Sequence, residues 1–221
     1  METILYQDEA MIVAVKPAGL VSEHAGGEGM PDRLSAALNR MPESVYPVHR
    51  LDRCAGGVMV FGLTKQAAAG LSQAVQMRHF EKRYLAIVLG SVPELEETWK
   101  DLLFFDARRR MSFCVDRNRK GVKEAVLHMR GIETKDDLSL IAVRLETGRT
   151  HQIRCQCASR GLPILGDGRY GSRVKIPGGA IALWCAEIAF PHPVTGKPQR
   201  FVAPPPRQWP WNAFLVPDRQ S

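Results

Sequence analysis

The sequence predicts an α+β fold in which a mixed, mostly antiparallel sheet is flanked by a few helices. Two observations carry this prediction: many short apolar runs are joined by turns, and only two or three segments have apolar residues at helical spacing. Strands and helices do not alternate along the chain, which argues against a βαβ fold. The 221 residues show no repeat, linker or low-complexity block, so we expect a single domain over 1–221.

The first 90 residues are predicted to contain three strands and two helices. Asp32 opens a short helix that runs through Leu38, after a glycine-rich loop at 24–30. Thr64 is expected to cap a longer helix from 65 to about 78, because a threonine hydroxyl satisfies free amides at a helix start. The three predicted strands are 11–16, 57–63 and 84–89.

The rest of the chain is predicted to be richer in strands. Thr150 is expected to cap a helix at 151–160, which Gly161 and Pro163 end. The four predicted strands are 111–115, 125–131, 138–146 and 181–190.

Composition excludes several classes of protein. A hydrophobic content of 45% and a charged content of 24% exclude disorder, collagen and a disulfide scaffold. No apolar run approaches the roughly 18 residues of a membrane span, and the start lacks the features of a signal peptide, so we expect a cytoplasmic protein. We expect neither a disulfide nor a metal site, because the cysteines are odd in number and lack C-x-x-C spacing. The five cysteines are Cys54, Cys114, Cys155, Cys157 and Cys185.

The charge balance points to an anionic partner. The formal net charge is +7, and 21 of the 30 basic residues are arginine. Planar guanidinium groups bind phosphates and carboxylates through two parallel hydrogen bonds. Many soluble proteins are also mildly basic without binding nucleic acid. The positions of the basic residues therefore have to decide whether the charge indicates nucleic-acid binding.

One candidate site is the segment His49-Arg50-Leu51-Asp52, which is followed by Ala55-Gly56-Gly57 and an apolar strand. A carboxylate held ionised among arginines and backbone amides can act as a nucleophile or a base. Glycines beside it would let a ligand approach the backbone. The structural alternative is that Asp52 caps a turn and pairs with Arg50.

A second candidate site runs from Glu146 to Arg154, from a strand end through a glycine turn into a helix start. Arg149 is well placed there to hold a phosphate or a carboxylate such as Asp52. Arg154 lies further along the same helix. The structural alternative is that Arg149 is a solvated side chain.

Two further features concern ring contacts and charge. Tyr84 lies at the start of a strand just after Lys82, where it either enters a cleft or packs half-buried.

A basic cluster flanks the short strand 111–115 in a hairpin-like arrangement, which suits contact with a nucleic-acid backbone. The alternative is a solvated loop. The basic cluster consists of Arg108, Arg109, Arg110, Arg117, Arg119, Lys120 and Lys123.

Five motifs in this order resemble the RluA branch of the pseudouridine synthases. The motifs are Val15-Lys16-Pro17-Ala18-Gly19-Leu20, His49-Arg50-Leu51-Asp52, Glu81-Lys82-Arg83-Tyr84, 147–154 (Thr-Gly-Arg-Thr-His-Gln-Ile-Arg) and Pro163-Ile164-Leu165-Gly166-Asp167. The resemblance implies a mixed sheet crossed by a catalytic, RNA-binding cleft. It also implies isomerisation of uridines in ribosomal or transfer RNA without metal or cofactor. Many relatives carry a separate N-terminal RNA-binding domain, but the first predicted strand of this chain begins within about a dozen residues of Met1, so we expect no such domain here. We also expect a monomer.

The resemblance assigns roles to five residues. Asp52 is the catalytic aspartate, and Arg50 helps to place the flipped base. Tyr84 is the active-site tyrosine, Arg149 pairs with the aspartate, and Ile153 packs against the ring. Beyond these, we assign His49, Lys82 and Arg154 to substrate binding, and the basic cluster to the RNA backbone.

The sequence leaves three questions open. Asp52 either attacks the ribose or removes a proton from it to give a glycal. The family usually has Thr-Ser-Gly where this chain has Ala55-Gly56-Gly57, which keeps a non-catalytic RNA-binding or RNA-folding protein as an alternative. A nucleoside or sugar hydrolase is disfavoured, because no partner carboxylate for a general acid is evident.

Overall fold

The computed structural model describes residues 3–26 and 28–215. The chain divides into two compact units: a first unit of Met1–Lys82 with Trp184–Pro205, and a second unit of Arg83–Leu183 with Pro206–Ser221. The single domain over 1–221 stays a prediction, as does the cleft. Within the described ranges, no helix is both long and apolar enough to cross a membrane.

The described ranges contain eleven strands and three α-helices. The strands are β1 (Thr3–Gln7), β2 (Met11–Lys16), β3 (Tyr46–Pro47), β4 (Gly56–Gly62), β5 (Glu81–Leu89), β6 (Glu96–Asp106), β7 (Met111–Val115), β8 (Val122–Lys135), β9 (Leu138–Leu145), β10 (Leu183–Pro191) and β11 (Pro198–Val202). The helices are α1 (Met30–Ala37), α2 (Lys65–Gln76) and α3 (Gln152–Ser159).

The first unit is built on a sheet in which β4 is the central, fully buried strand. The strand order is β1-β2-β4-β10, with β3 paired to the end of β4 and β11 paired to β10. The β4–β10 pair is parallel and short, through Gly56 and Gly57, whereas the other pairs in this unit are antiparallel. The loop that precedes β4 therefore leads directly into a fully buried strand.

The second unit is an antiparallel sheet with α3 packed against its edge strands. The strand order is β5-β9-β8-β6-β7, and every pair in it is antiparallel. The alternation of buried and exposed residues is weak on β6, where Lys100 is exposed while the half-buried Asp101 carboxylate accepts hydrogen bonds from Gln156 and Arg160. A small apolar cluster of Leu103, Ala125 and Cys155 joins this edge to α3.

The α+β class with a mixed sheet is confirmed. The predicted strand 11–16 and the helix that Thr64 caps are present, and the Thr64 hydroxyl accepts the N–H of Ala67. Strands β1, β6 and β11 were not predicted, because they are exposed or charged and lack a buried run.

The role predicted for Asp32 was wrong in detail. The helix begins at Met30, so Asp32 lies inside its first turn, where its carboxylate accepts the N–H groups of Ala25 and Gly29. Burial alone would raise the pKa of Asp32, but these bonds and the His24 ring outweigh it and lower the pKa to about 2.

Candidate active site

Hydrogen bonds fix the backbone around Asp52 in the first unit. The N–H of Leu51 donates to the Ser22 hydroxyl at 3.0 Å, and that hydroxyl donates to the carbonyl of Leu51 at 2.7 Å. The carbonyl of Asp52 accepts the N–H of Ala55, which closes a tight turn. Asp52 itself is half-buried, so its carboxylate is held on a rigid turn at the margin of solvent.

Arg50, by contrast, points to solvent. Its guanidinium pairs with Glu23 at 3.1 Å, and both side chains are more than half exposed. In the part of the chain that the structure describes, the Arg50 guanidinium thus lies against Glu23, and this contact does not test the alternative pairing with Asp52. The assignment of Arg50 to the flipped base stays a prediction.

A buried lysine, to which the sequence analysis gave no role, lies close to the turn. The Lys16 side chain is fully buried at the end of β2, and its ammonium donates to the carbonyls of Pro17 at 2.9 Å and Leu20 at 2.8 Å. Burial lowers its pKa to about 8, while the charges of Cys54 and Asp52 act in the opposite direction. Lys16 is therefore a cation within electrostatic range of Asp52. A lysine that directly precedes proline at the end of an apolar strand was the signal available in the sequence.

His49 has the surroundings of a core residue. Its Nε2 accepts the N–H of Val60 at 3.2 Å, and its ring lies 5.1 Å from that of Phe80. Burial, with a smaller contribution from Lys82, lowers its pKa to about 3, so the ring is neutral. The Lys82 ammonium lies 5.9 Å from the centre of the Phe80 ring. Substrate binding by His49 and Lys82 stays a prediction, and these contacts favour a structural role for His49.

The glycines after the turn are required by packing. At Gly56 an added Cβ would lie 2.4 Å from Cζ3 of Trp184, and at Gly57, where φ is +127°, it would lie 2.3 Å from the carbonyl oxygen of Cys185. The Trp184 indole is fixed in turn by its N–H bond to the carbonyl of Ala203 at 2.8 Å. The replacement of the usual serine by Gly56 is thus matched to the tryptophan packed against it.

In the second unit, Gln152 shapes the turn that enters α3. Its Oε1 accepts the N–H of Arg149 at 3.0 Å and the hydroxyl of Thr147 at 2.8 Å, and its Nε2 donates to the carbonyl of Val126. The predicted Thr150 cap was wrong: His151 is the N-cap, with φ at +53°, and it makes no side-chain cap bond. The Gln152 side chain instead fixes the turn that precedes the helix.

Arg149 and Arg154, the two arginines of this motif, have different surroundings. Arg149 is half-exposed, and its Nε donates to the carbonyl of Glu124 at 2.8 Å. Arg154 is buried, and it binds Asp167 through Nε–Oδ2 at 2.6 Å and Nη2–Oδ1 at 2.9 Å. The pairing of Arg149 with Asp52 stays a prediction. Asp167 is a further residue to which the sequence analysis gave no role, although it ends the fifth motif.

Ile153 and Tyr84 are both well buried. Ile153, on α3, is 4% exposed, and Tyr84, on β5 opposite Val143 of β9, is 6% exposed. The strand begins at Glu81, so Tyr84 lies inside it and not at its start. The contact of Ile153 with the ring of the substrate and the active-site role of Tyr84 stay predictions.

The basic cluster lies mostly in the turns before and after β7, with Lys123 at the start of β8. Arg108, Arg109 and Arg110 occupy the β6–β7 turn, so the predicted hairpin around 111–115 is confirmed. All seven members of the cluster are exposed. Arg109 and Arg119 lie over the rings of Phe113 and Phe104, at 5.8 and 5.0 Å from the ring centres.

Arg169 also binds this turn through hydrogen bonds to its backbone. Its Nη1 donates to the carbonyls of Arg109 at 3.3 Å and Arg110 at 3.0 Å. The turn therefore carries a fourth cation that lies outside the predicted cluster. Such a concentration of guanidinium groups on a turn held by hydrogen bonds suits phosphate contact better than a freely moving loop would.

Comparison with known proteins gives one family. Residues 10–159 match the family model described as RNA pseudouridylate synthase. Proteins named ribosomal large subunit pseudouridine synthase D are similar along most of the chain. The one from Xanthomonas campestris is 36% identical over 221 residues, with 92% of this chain and 66% of that protein covered. The one from Pseudomonas aeruginosa is 33% identical over 237 residues, with 99% and 73% covered. The chain thus spans about two thirds of the length of such relatives.

Two solved structures are similar in fold. The structure titled human RNA pseudouridylate synthase domain containing 1 has a TM-score of 0.75 at 20% identity, with 94% of this chain and 85% of that chain covered. The structure titled human RNA pseudouridylate synthase domain containing 4 has the same TM-score at 22% identity, with 93% and 89% covered. At these identities the likeness bears on the fold.

Proposed function

Because the chain belongs to the RNA pseudouridylate synthase family, we propose that it isomerises uridine to pseudouridine in a structured RNA. The observation that carries the proposal is the rigid turn that holds Asp52 half-buried near the Lys16 cation. A carboxylate fixed near a cation suits the nucleophile or base that this reaction requires.

The proposed reaction begins with the target nucleotide turned out of its stack, since the reacting atoms of a stacked uridine are inaccessible. Asp52 then attacks the ribose or removes a proton from it, and both routes remain in the proposal. The glycosidic bond breaks, the uracil rotates, and carbon 5 bonds to the anomeric carbon and loses its hydrogen. The other residues have the roles that the resemblance implies. Arg50 helps to place the flipped base, Arg149 pairs with Asp52, Ile153 packs against the ring, and Tyr84 is the active-site tyrosine. The reaction transfers no electrons and no group between molecules, so we propose that no cofactor or metal takes part.

The RNA partner is proposed from charge and from the names of the relatives. Seven exposed cations of the basic cluster supply contacts to the phosphate backbone. We propose large-subunit ribosomal RNA as the first substrate to test and transfer RNA as the second. We further propose a monomer acting in the cytoplasm, where both RNAs are present.

Tritium release tests the activity. Isomerisation must expel the hydrogen at carbon 5 of uridine, so RNA labelled there should release tritium with the wild-type chain. Asp52→Asn, which keeps the size of the side chain, should release at least about a hundredfold less, because positioned acid–base groups contribute that much or more. Glu28→Gln, which removes an exposed carboxylate outside the proposed site, is the matched control and should release tritium as the wild type does.

The competing RNA-binding function makes a different prediction. A protein that only binds or folds RNA would bind both RNAs while neither the wild type nor Asp52→Asn releases tritium. That result would overturn the proposed activity. Release by the wild type alone, compared between ribosomal and transfer RNA, would give the substrate class.

A further inference from the structure

Two thiols of the second unit are in contact across two elements. Cys114 lies on β7 and Cys155 lies in α3, and their sulfur atoms are 3.7 Å apart. A disulfide bond has a length of about 2 Å, so the gap to be closed is less than about 2 Å.

The two thiols differ in access and acidity. Cys114 is partly exposed, whereas Cys155 is only 4% exposed. A hydrogen bond with the Cys155 thiol lowers the pKa of Cys114 to about 7; burial and Asp101 oppose the shift, while Ser159 and Arg160 support it. The same contact and burial raise the pKa of Cys155. Cys114 is therefore the accessible thiolate, and Cys155 is the buried thiol behind it.

We propose that Cys114 and Cys155 form a redox modification site, which a hydroperoxide converts to an intramolecular disulfide. The Cys114 thiolate attacks the O–O bond of the peroxide, forms an S–O bond and yields a sulfenic acid, while the other oxygen leaves as water or an alcohol after protonation. Cys155 then attacks the Cys114 sulfur, the S–S bond forms, and water leaves. Two thiols lose two electrons and two protons in total, and the peroxide is reduced.

Two other cysteines lack these features. Cys157, two residues further along α3, is fully buried, and burial raises its pKa to about 12. Cys185 is also fully buried, on β10. Cys54 is partly exposed, so a count of oxidised thiols alone would not identify the site. Peptide mapping does identify it.

The arrangement gives the bond a structural consequence. A disulfide would link β7 covalently to α3, the helix that carries Ile153 and Arg154. Along the chain, β7 has Arg108, Arg109 and Arg110 before it and the other members of the basic cluster after it. In the reduced protein, noncovalent contacts join β7 to the turn that leads into α3, among them the short hydrogen bond from the Ser112 hydroxyl to the Thr150 carbonyl at 2.5 Å. Oxidation would add a covalent link beside it.

The test is made on the folded chain of 221 residues without RNA. After treatment with a few equivalents of hydrogen peroxide, free thiols are alkylated and the protein is cleaved with trypsin. The expected product is peptide 111–117 joined to peptide 155–160, lighter than their sum by two hydrogens and separated by dithiothreitol. Fragmentation of the joined peptide must place the bond at Cys155 and not at Cys157.

Three variants sharpen the test. Cys157→Ala should form the joined peptide as the wild type does, and Cys114→Ser should not form it. Cys155→Ser should leave a Cys114 sulfenic acid that dimedone labels. Alkylation of both Cys114 and Cys155 in peroxide-treated wild type, or a bond to Cys157, would overturn the proposal. The wild-type map decides alone if a variant does not fold, and it is independent of the proposed function because no RNA is used.

Discussion

Arg154 and Asp167 form a bidentate ion pair inside the second unit, with Nε–Oδ2 at 2.6 Å and Nη2–Oδ1 at 2.9 Å. Their side chains are 6% and 1% exposed, and the ring of Tyr170 lies over the guanidinium with its centre 5.0 Å away. The Tyr170 hydroxyl in turn accepts the N–H of Ser112. The orientation of Arg154 is therefore fixed by residues distant in sequence.

Breaking this pair should destabilise the fold. Asp167→Asn leaves a buried guanidinium without its counter-charge, and such changes cost about 3–5 kcal/mol. Urea unfolding followed by circular dichroism measures the loss. Glu124→Gln, which removes a carboxylate from the exposed pair with Lys100, is the control and should cost under about 1 kcal/mol. Equal stability of Asp167→Asn and the wild type would show that the pair contributes little.

A side chain at Gly56 should conflict with Trp184. In Gly56→Ala the new methyl group would lie 2.4 Å from the indole, so the tryptophan or the strand must shift, at a cost of about 1–3 kcal/mol. Trp184→Ala removes the obstacle, and the double variant should therefore be more stable than the sum of the two single changes predicts. Gly168→Ala, where an added Cβ meets nothing within 4 Å, is the matched control. Strict additivity in thermal unfolding would contradict the proposed clash.

Lys16 should make stability rise with pH. Its pKa is about 8 in the folded chain and 10.5 ordinarily, so between these values the unfolded chain binds more protons than the folded one. The free energy of unfolding then increases with pH across that window. Lys16→Met should lack this contribution. The free energy of unfolding of the wild type minus that of the variant should therefore increase from pH 8 to about 10.5. Urea unfolding at several pH values measures it, and a constant difference would exclude the predicted shift.

The basic hairpin should contribute salt-dependent affinity. Replacing Arg108, Arg109 and Arg110 by alanine removes up to three phosphate contacts, so the slope of log affinity against log salt should fall by about 2. Filter binding to ribosomal RNA at several salt concentrations measures this slope. Alanine at Lys65, Lys175 and Lys197 removes the same charge elsewhere and should change the slope less. Equal effects of the two triple variants would assign the binding to net charge alone.

Elements with a buried apolar run could be predicted from the sequence alone. The strand at 11–16 was predicted with its observed bounds, and the helix from Lys65 began where Thr64 caps it. By contrast, β6 was missed because its outward-facing charges hide the alternation. The cap of α3 was misassigned because Gln152 reaches backward from inside the helix, which spacing does not reveal.

The sequence by itself determined the fold class, the family and the residue types of the candidate site, because short apolar runs and ordered motifs are local in the chain. Only the tertiary structure decided the surroundings of those residues. It buried Lys16 near Asp52, placed Trp184 against Gly56 and paired Arg154 with Asp167. The physical reason is that burial and pairing depend on contacts between residues far apart in sequence. Those contacts shift the pKa of a group from the ordinary value of its residue type, and they fix its orientation.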